Sequence, residues 1–283
     1  MRFHSPGISM KPVMCQLKYA SVALFAAMVI ATAPSFFCAR EARNGNPFLQ
    51  GYMEGKGIRG TVIIESLRQK KRYVYNAARS REAFLPASTF KIVNTLIALQ
   101  ERAVKDEYET LKWDGRDRGV PAWNRDQNMK SAFPASCVWF YQELAKKTGN
   151  GKYLEYLGAM KYGNGKTGPR VDTFWLDGDL RISAAVQIEV LKNIYARGYG
   201  FDDRYYEILR ALMVVDKNPR ITVRAKTGTV SSVVPHIGWY VGYVETGEDV
   251  WFFACNLDMT RPEDALLRKE IIHTAFKEIG IVN

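Results

Sequence analysis

Ser88 and Lys91 are the residues of this 283-residue chain whose types and spacing suit nucleophilic chemistry. They stand in Pro86-Ala87-Ser88-Thr89-Phe90-Lys91, directly ahead of the apolar run Ile92, Val93, Leu96, Ile97 and Leu99. At 3.6 residues per turn that run predicts a helix buried on most sides, with Ser88 and Thr89 at its N-cap or first turn. Residues three apart on a helix share a face and can touch. A serine hydroxyl is a weak nucleophile until a neighbour takes its proton. A lysine can take it once burial disfavours the ammonium form, and the helix N-terminus favours developing negative charge. A bare Ser-x-x-Lys arises by chance roughly once in a chain of this length. This one has no duplicate in the chain, and its lysine lies in an apolar segment, where an unpaired charge is costly.

Other bases are scarce. The three histidines are His4, His236 and His273, and no Gly-x-Ser-x-Gly elbow accompanies them. No His/Cys/Asp/Glu cluster has zinc spacing, so no metal is expected. Cys15 and Cys38 fall in or near the N-terminal leader, while Cys137 and Cys255 sit in unrelated apolar settings. The latter two are expected to be buried free thiols, with a disulfide between them as the alternative.

Further segments carry polar groups that a Ser-Lys site needs. Lys226-Thr227-Gly228 ends a strand beginning at Ile221: the lysine neutralises an anion, the threonine bonds a carboxylate, and the glycine lets a substrate lie against the strand edge. A second Lys-Thr-Gly at Lys166 lies in a glycine-rich turn and is rejected for this role. It imitates a phosphate loop, but Met160 stands where the first glycine is needed. Ser136-Cys137-Val138 opens a helix, offering a proton-relaying hydroxyl and an apolar wall. Trp175, on the aromatic connector Asp172 to Gly178, brings an indole N–H donor.

These residues need elements to hold them. Gly60 to Glu65 and Lys71 to Tyr75 read as a hairpin. Helical spacing follows over Ser136 to Lys147, about 151–160, a helix capped by Ser183, and 203–215. The period then changes to two for strands Ile221 to Gly228, Ile237 to Val244 and Val250 to Asn256, and a final amphipathic helix spans 262–280. The order predicts an α+β fold: a central, mostly antiparallel sheet flanked by N- and C-terminal helices, with an inserted all-helical lobe at about 103–215. Residues 34–57 read as a linker or loosely packed first helix, and 58–283 as the working domain.

Net charge is +11, of which Arg2, Lys11 and Lys18 contribute 3 within residues 1–33, which hold no acids. Elsewhere basic residues are interspersed with acidic ones, which argues against a nucleic-acid partner and suits a small anionic substrate. Tyr19 to Ala33 is an uncharged apolar run after Lys18, too short to span a bilayer comfortably. It reads as the core of a signal peptide over 1–33, with Met10 as a possible start, and implies a periplasmic enzyme without a stable membrane span. An uncleaved N-terminal anchor is the alternative. The sequence is compatible with a monomer and with a homodimer.

Taken together, Ser88-Thr89-Phe90-Lys91, Ser136-Cys137-Val138, Tyr162-Gly163-Asn164, Trp175-Leu176-Asp177-Gly178 and Lys226-Thr227-Gly228 resemble the class D serine β-lactamases, the oxacillinase group of penicillin-recognising enzymes. The resemblance covers about 60–280 and implies their transpeptidase-like fold. It departs in the unusual Cys137 and in the short segment after Gly228, which leaves loop-dependent substrate preference open. It implies a β-lactam substrate and a Ser88 acyl-enzyme, with backbone N–H groups of Ser88 and Thr229 as the oxyanion hole. Lys91 would become N6-carboxylysine by reaction with carbon dioxide and serve as base for acylation and deacylation, no other cofactor being needed. Trp175 would hold the carbamate, Val138 would keep it dry, and Leu176 would join the substrate wall. Ser136 would pass a proton to the lactam nitrogen, and Lys226, Thr227 and Arg268 would hold the substrate carboxylate. Beside the resemblance, Tyr162 and Asn164 are expected to brace a loop rather than touch substrate and Asp177 to form a turn, while Trp123 and Asp126, which also match the family, are expected to be scaffold. The alternative is a β-lactam sensor or penicillin-binding transpeptidase with slow deacylation. A sensor needs spanning helices upstream, and the pairing of Val138 with Trp175 favours turnover. A non-catalytic cell-wall or nucleic-acid binding domain would leave the coincidence of motifs unexplained.

Overall fold

The computed structural model describes residues 46–282; the leader expected over 1–33 lies outside them. The first helix, α1 (Pro47–Gly55), begins at Asn46, whose side-chain oxygen accepts from the Phe48 amide at 2.9 Å. Pro47 takes the first helical position, where no N–H is needed. The expected hairpin follows as β1 (Gly60–Ser66) and β2 (Arg72–Tyr75), paired antiparallel. After the two-residue strand β3 (Ala83–Phe84), a 3-10 turn over Ala87–Phe90 leads into α2 (Lys91–Gln100), buried on nearly all sides. Next come α3 (Met129–Ala132), α4 (Val138–Thr148), α5 (Asn150–Ala159), β4 (Ile182–Ser183), α6 (Ala184–Tyr195) and α7 (Asp203–Leu212). The remainder is β5 (Val214–Lys217), β6 (Ile221–Val230), β7 (His236–Thr246), β8 (Val250–Met259) and α8 (Asp264–Glu278).

One expected boundary is corrected. The helix read over 203–215 stops at Leu212, and Val214–Lys217 is instead an edge strand paired with β6. Adjacent β-branched residues favour extended backbone, and β6 offers a free edge to pair with. Ser136 and Cys137 likewise precede α4 rather than forming its first turn.

Six strands form one antiparallel sheet in the order β2-β1-β8-β7-β6-β5. Side chains alternate between its faces, as the strand period requires. Val62, Ile64, Ala225, Tyr240, Phe253 and Cys255 face one core with Leu49 and Met53 of α1 and Ile271, Ile272 and Phe276 of α8. Ile63, Trp239, Val241, Phe252 and Ala254 face the larger core with α2, α4 and α6. The alternation decides where the site lies. With Ala225 toward α8, Lys226 and Gly228 fall on the opposite face, toward the turn carrying Ser88.

Candidate active site

The nucleophile turn is held from several sides. Pro86 stops the preceding strand, and Ala87 takes a left-handed φ of 47°, unusual for a residue with a side chain. Its amide donates to the Trp175 carbonyl at 2.9 Å. Thr89 Oγ1 donates to the Pro86 carbonyl at 2.7 Å and accepts from Gln187 Nε2 at 2.9 Å. Phe90 roots the turn in an aromatic cluster: its ring centroid lies 5.1 Å from Phe174 and 5.4 Å from Trp175.

Lys91 Nζ lies 2.8 Å from Ser88 Oγ. The lysine is wholly buried, and burial pulls its pKa from 10.5 down to about 7. Its Nζ lies over the Tyr141 ring, 5.3 Å from the centroid. No salt bridge to Lys91 exists among the described residues, so about half of the amine is neutral at pH 7 and able to accept a proton from Ser88.

Lys226 is the second buried amine. It donates to the Ser136 hydroxyl and, at 3.1 Å, to the Thr227 carbonyl. Burial first, then the neighbouring charges of Lys91, Arg268 and Lys269, hold its pKa well below the usual lysine value. Arg268, from α8, donates to the Gly228 carbonyl at 2.6 Å and to Thr229 Oγ1 at 2.9 Å, while its Nε is buried without a partner. Lys226 and Arg268 therefore supply positive charge that an anionic substrate group would compensate.

Backbone donors are available as well. β5 pairs with β6 only as far as Val214 opposite Arg224, and the Ala225 amide points outward to the Met213 carbonyl at 2.8 Å. Amides two apart on a strand point the same way, so those of Thr227 and Thr229 face the open edge. A cavity of about 480 Å³ occupies this edge. It is lined by Ser88, Ser136, Val138, Leu176, Thr227, Gly228, Thr229 and Arg268, together with Trp123, Asp177, Ser231 and Ser232. Lys91 and Lys226 lie buried behind the two hydroxyls.

Sequence comparison places this arrangement. Residues 59–277 match the model of the penicillin-binding protein transpeptidase domain. The chain is 39% identical to β-lactamase OXA-48 of Klebsiella pneumoniae over 244 residues, 86% of this chain and 92% of that relative. It is 38% identical to β-lactamase OXA-5 of Pseudomonas aeruginosa over 232 residues, 80% and 86% of the two chains. The chain belongs to the class D β-lactamases. Among solved structures, the class D β-lactamase YbXI from Nostoc superposes with a TM-score of 0.82 at 39% identity, covering 84% of this chain and 100% of that one. FUS-1 from Fusobacterium nucleatum subsp. polymorphum gives 0.83 at 34% identity, covering 85% and 100%.

In this class D β-lactamase the sequence had not pointed to Trp123, Asp177, Ser231 or Ser232 as cavity residues. Trp123 read as scaffold and Asp177 as a turn former, and nothing in the sequence around Ser231 and Ser232 marks them. Trp175 is fully buried beneath the turn and does not line the cavity. Its indole N–H has no partner among the described residues. Asn164 fixes its loop by accepting from the Arg181 amide at 3.0 Å and donating to the Asp179 carbonyl at 2.8 Å. Cys137 and Cys255 are buried free thiols. Among the described residues no group of His, Cys, Asp and Glu could hold a metal, and no helix is long and apolar enough to cross a membrane.

Gly228 meets a need that the sequence did not reveal. A Cβ there would lie 2.9 Å from the Pro86 carbonyl oxygen, 3.2 Å from Thr89 Cγ2 and 3.3 Å from the Ser88 amide nitrogen. Glycine lets β6 close against the nucleophile turn. Gly228→Ala is expected to push the two apart, costing about 1–3 kcal/mol of stability and lowering kcat/KM by about tenfold or more. Thermal denaturation and nitrocefin kinetics measure both, and unchanged kinetics would show that turn and strand need not touch.

Proposed function

We propose that this enzyme opens the β-lactam amide of penicillins and related antibiotics through an acyl-enzyme on Ser88, and that Lys91 is carbamylated in its working form. The observation that carries the reading is the dry Ser88–Lys91 pair, 2.8 Å apart, with the lysine wholly buried and brought to about pH 7. Carbon dioxide reacts only with a neutral amine, releasing one proton as the N–C bond forms. The residues fit that group: burial lowers the Lys91 pKa to about 7 so that a large share of the amine is neutral there, Val138 lines the neighbouring cavity, and Trp175 offers a buried indole N–H lacking an acceptor. A carbamate on Lys91 supplies a carboxylate-type base for the Ser88 proton and for the water that releases the acyl group.

The chain's own residues do the rest. Ser88 Oγ attacks the lactam carbonyl, and the Ser88 and Thr229 amides receive the developing oxyanion. Ser136 passes a proton to the lactam nitrogen, so that the C–N bond breaks with a neutral amine leaving. Lys226 holds the Ser136 hydroxyl and lends its charge to the substrate carboxylate, which Thr227 and Arg268 bind. Val138 and Leu176 form the apolar wall. Residues 1–33 act as a secretion signal that delivers the enzyme to the periplasm, where its substrate arrives.

Mass spectrometry after rapid mixing with benzylpenicillin tests the reading. A transient adduct of penicillin mass on the Ser88 peptide, gone within turnovers and absent in Ser88→Ala, is the expected outcome. A persistent adduct would make the protein a sensor or a slow transpeptidase instead, and no adduct with continued hydrolysis would remove Ser88 from the chemistry.

A further inference from the structure

We infer that Trp123 is a positioning residue, its indole N–H holding the Ala135–Ser136 peptide in the orientation that brings the Ser136 hydroxyl to Lys226. The inference rests on the proton-relay reading of Ser136 given above.

Ser136 has a φ of 54°, in the left-handed region. For a residue with a side chain that conformation is unfavourable, so something must impose it. Both polar groups of the preceding peptide unit are tied. The Ala135 carbonyl accepts from Trp123 Nε1 at 2.8 Å, and the Ser136 amide donates to the Phe133 carbonyl at 3.1 Å. The next amide, that of Cys137, donates to the Ala132 carbonyl at 2.8 Å and leads the chain into α4. A peptide plane anchored at its oxygen and its nitrogen cannot rotate, and its tilt sets the φ of the residue that follows. Releasing the carbonyl frees the plane to relax toward an ordinary φ, which swings the Ser136 side chain off Lys226.

Trp123 is itself fixed. Its carbonyl accepts from Trp139 Nε1 at 2.8 Å. Trp139 is buried on α4 with its ring 5.7 Å from the Arg118 guanidinium, which pairs with both Asp114 oxygens at 2.8 Å. Two indole N–H groups thus act in series, from α4 to Trp123 and from Trp123 to the peptide ahead of Ser136. Because the Trp123 ring also lines the cavity, one residue both walls the substrate space and sets the hydroxyl within it. A wall needs only the ring; positioning needs the N–H.

A double-mutant cycle separates these roles. Trp123→Phe keeps an aromatic wall and removes the N–H. In stopped-flow acylation with benzylpenicillin it is expected to slow the chemical step by about tenfold, part of the 10²–10⁴ that a placed proton-transfer group contributes, with the substrate dissociation constant changed by less than about twofold. In a Ser136→Ala background the same change is expected to cost less than about twofold, since there is no hydroxyl left to place. Equal fold losses in the two backgrounds, or a loss carried by binding alone, would overturn the positioning role and leave Trp123 as a wall. Should Trp123→Phe fail to fold, replacement by β-(3-benzothienyl)alanine preserves the ring volume without the donor, and the same outcomes apply. If Ser136→Ala alone slows acylation by less than twofold, the relay reading itself fails and takes this inference with it.

Discussion

Lys91→Gln is expected to lower kcat for a penicillin by about 10³- to 10⁴-fold, and the unaltered enzyme is expected to lose about tenfold in rate per pH unit below 7. Both follow from one amine. Its pKa of about 7 is set by burial, so half of it is neutral at that pH and about a tenth one unit lower. The protonated form can neither take the Ser88 proton nor react with carbon dioxide. Added bicarbonate should therefore raise the rate in carbon-dioxide-depleted buffer at pH 7.5 and fail to do so at pH 5.5. Trp175→Phe removes the buried N–H left without an acceptor. It is expected to raise the bicarbonate concentration giving half-maximal rate and to slow deacylation more than acylation. Stopped-flow burst and steady-state rates across pH measure each part. Rates blind to bicarbonate, together with equal loss in both steps for Trp175→Phe, would leave Lys91 acting as a bare amine.

The Ser88–Lys91 pair was legible because its geometry is local. Two residues three apart on a helical turn share a face and can meet, and the apolar run after them must be buried. Lys226 was legible for a similar reason: alternation along β6 fixes its face once the strand is recognised. Other features depend on contacts between distant segments. Gly228 packs against a turn some 140 residues earlier in the chain, and no pattern around it announces that approach. The edge strand Val214–Lys217 continues the helical spacing of α7 closely enough to be absorbed into it; only pairing with β6 decides the matter. Trp123 read as scaffold because its part is played through hydrogen bonds to Ala135 and Trp139 that only the fold creates, and a sequence does not say where an indole N–H points. Arg268 was found by resemblance alone, since its helix carries basic residues at other positions too and only the fold brings this one to Gly228.

Lys91→Met is expected to abolish activity and yet raise the melting temperature, by on the order of 5–10 °C at pH 7 in carbon-dioxide-depleted buffer. In the unfolded chain the amine keeps its ordinary value of 10.5; in the folded enzyme it lies at about 7. Between those values the unfolded state holds a proton that the folded state does not, so stability rises as pH increases through that window. At pH 7 and below the penalty is close to full. The gap from 10.5 to about 7, at about 1.4 kcal/mol per unit, comes to about 4–5 kcal/mol. Methionine fills similar space without an amine, at the loss of one hydrogen bond to Ser88 worth about 1 kcal/mol. The advantage of the variant should shrink steadily from pH 7 to pH 10 and be nearly gone above 10.5. Lys226→Met should move in the same direction, because burial and its cationic neighbours hold that amine down as well. A variant that melts lower than the parent at pH 7, or a difference flat with pH, would mean that the pocket is wet enough to keep the ammonium hydrated. In that case the dry amine on which the proton transfer depends would not exist. The left-handed Ala87 and Ser136 point the same way: the turn and the loop that carry the hydroxyls are held in conformations that cost stability, with two buried amines of lowered pKa behind them. A more stable protein is therefore one substitution away, and it is a protein that cannot remove the proton from Ser88.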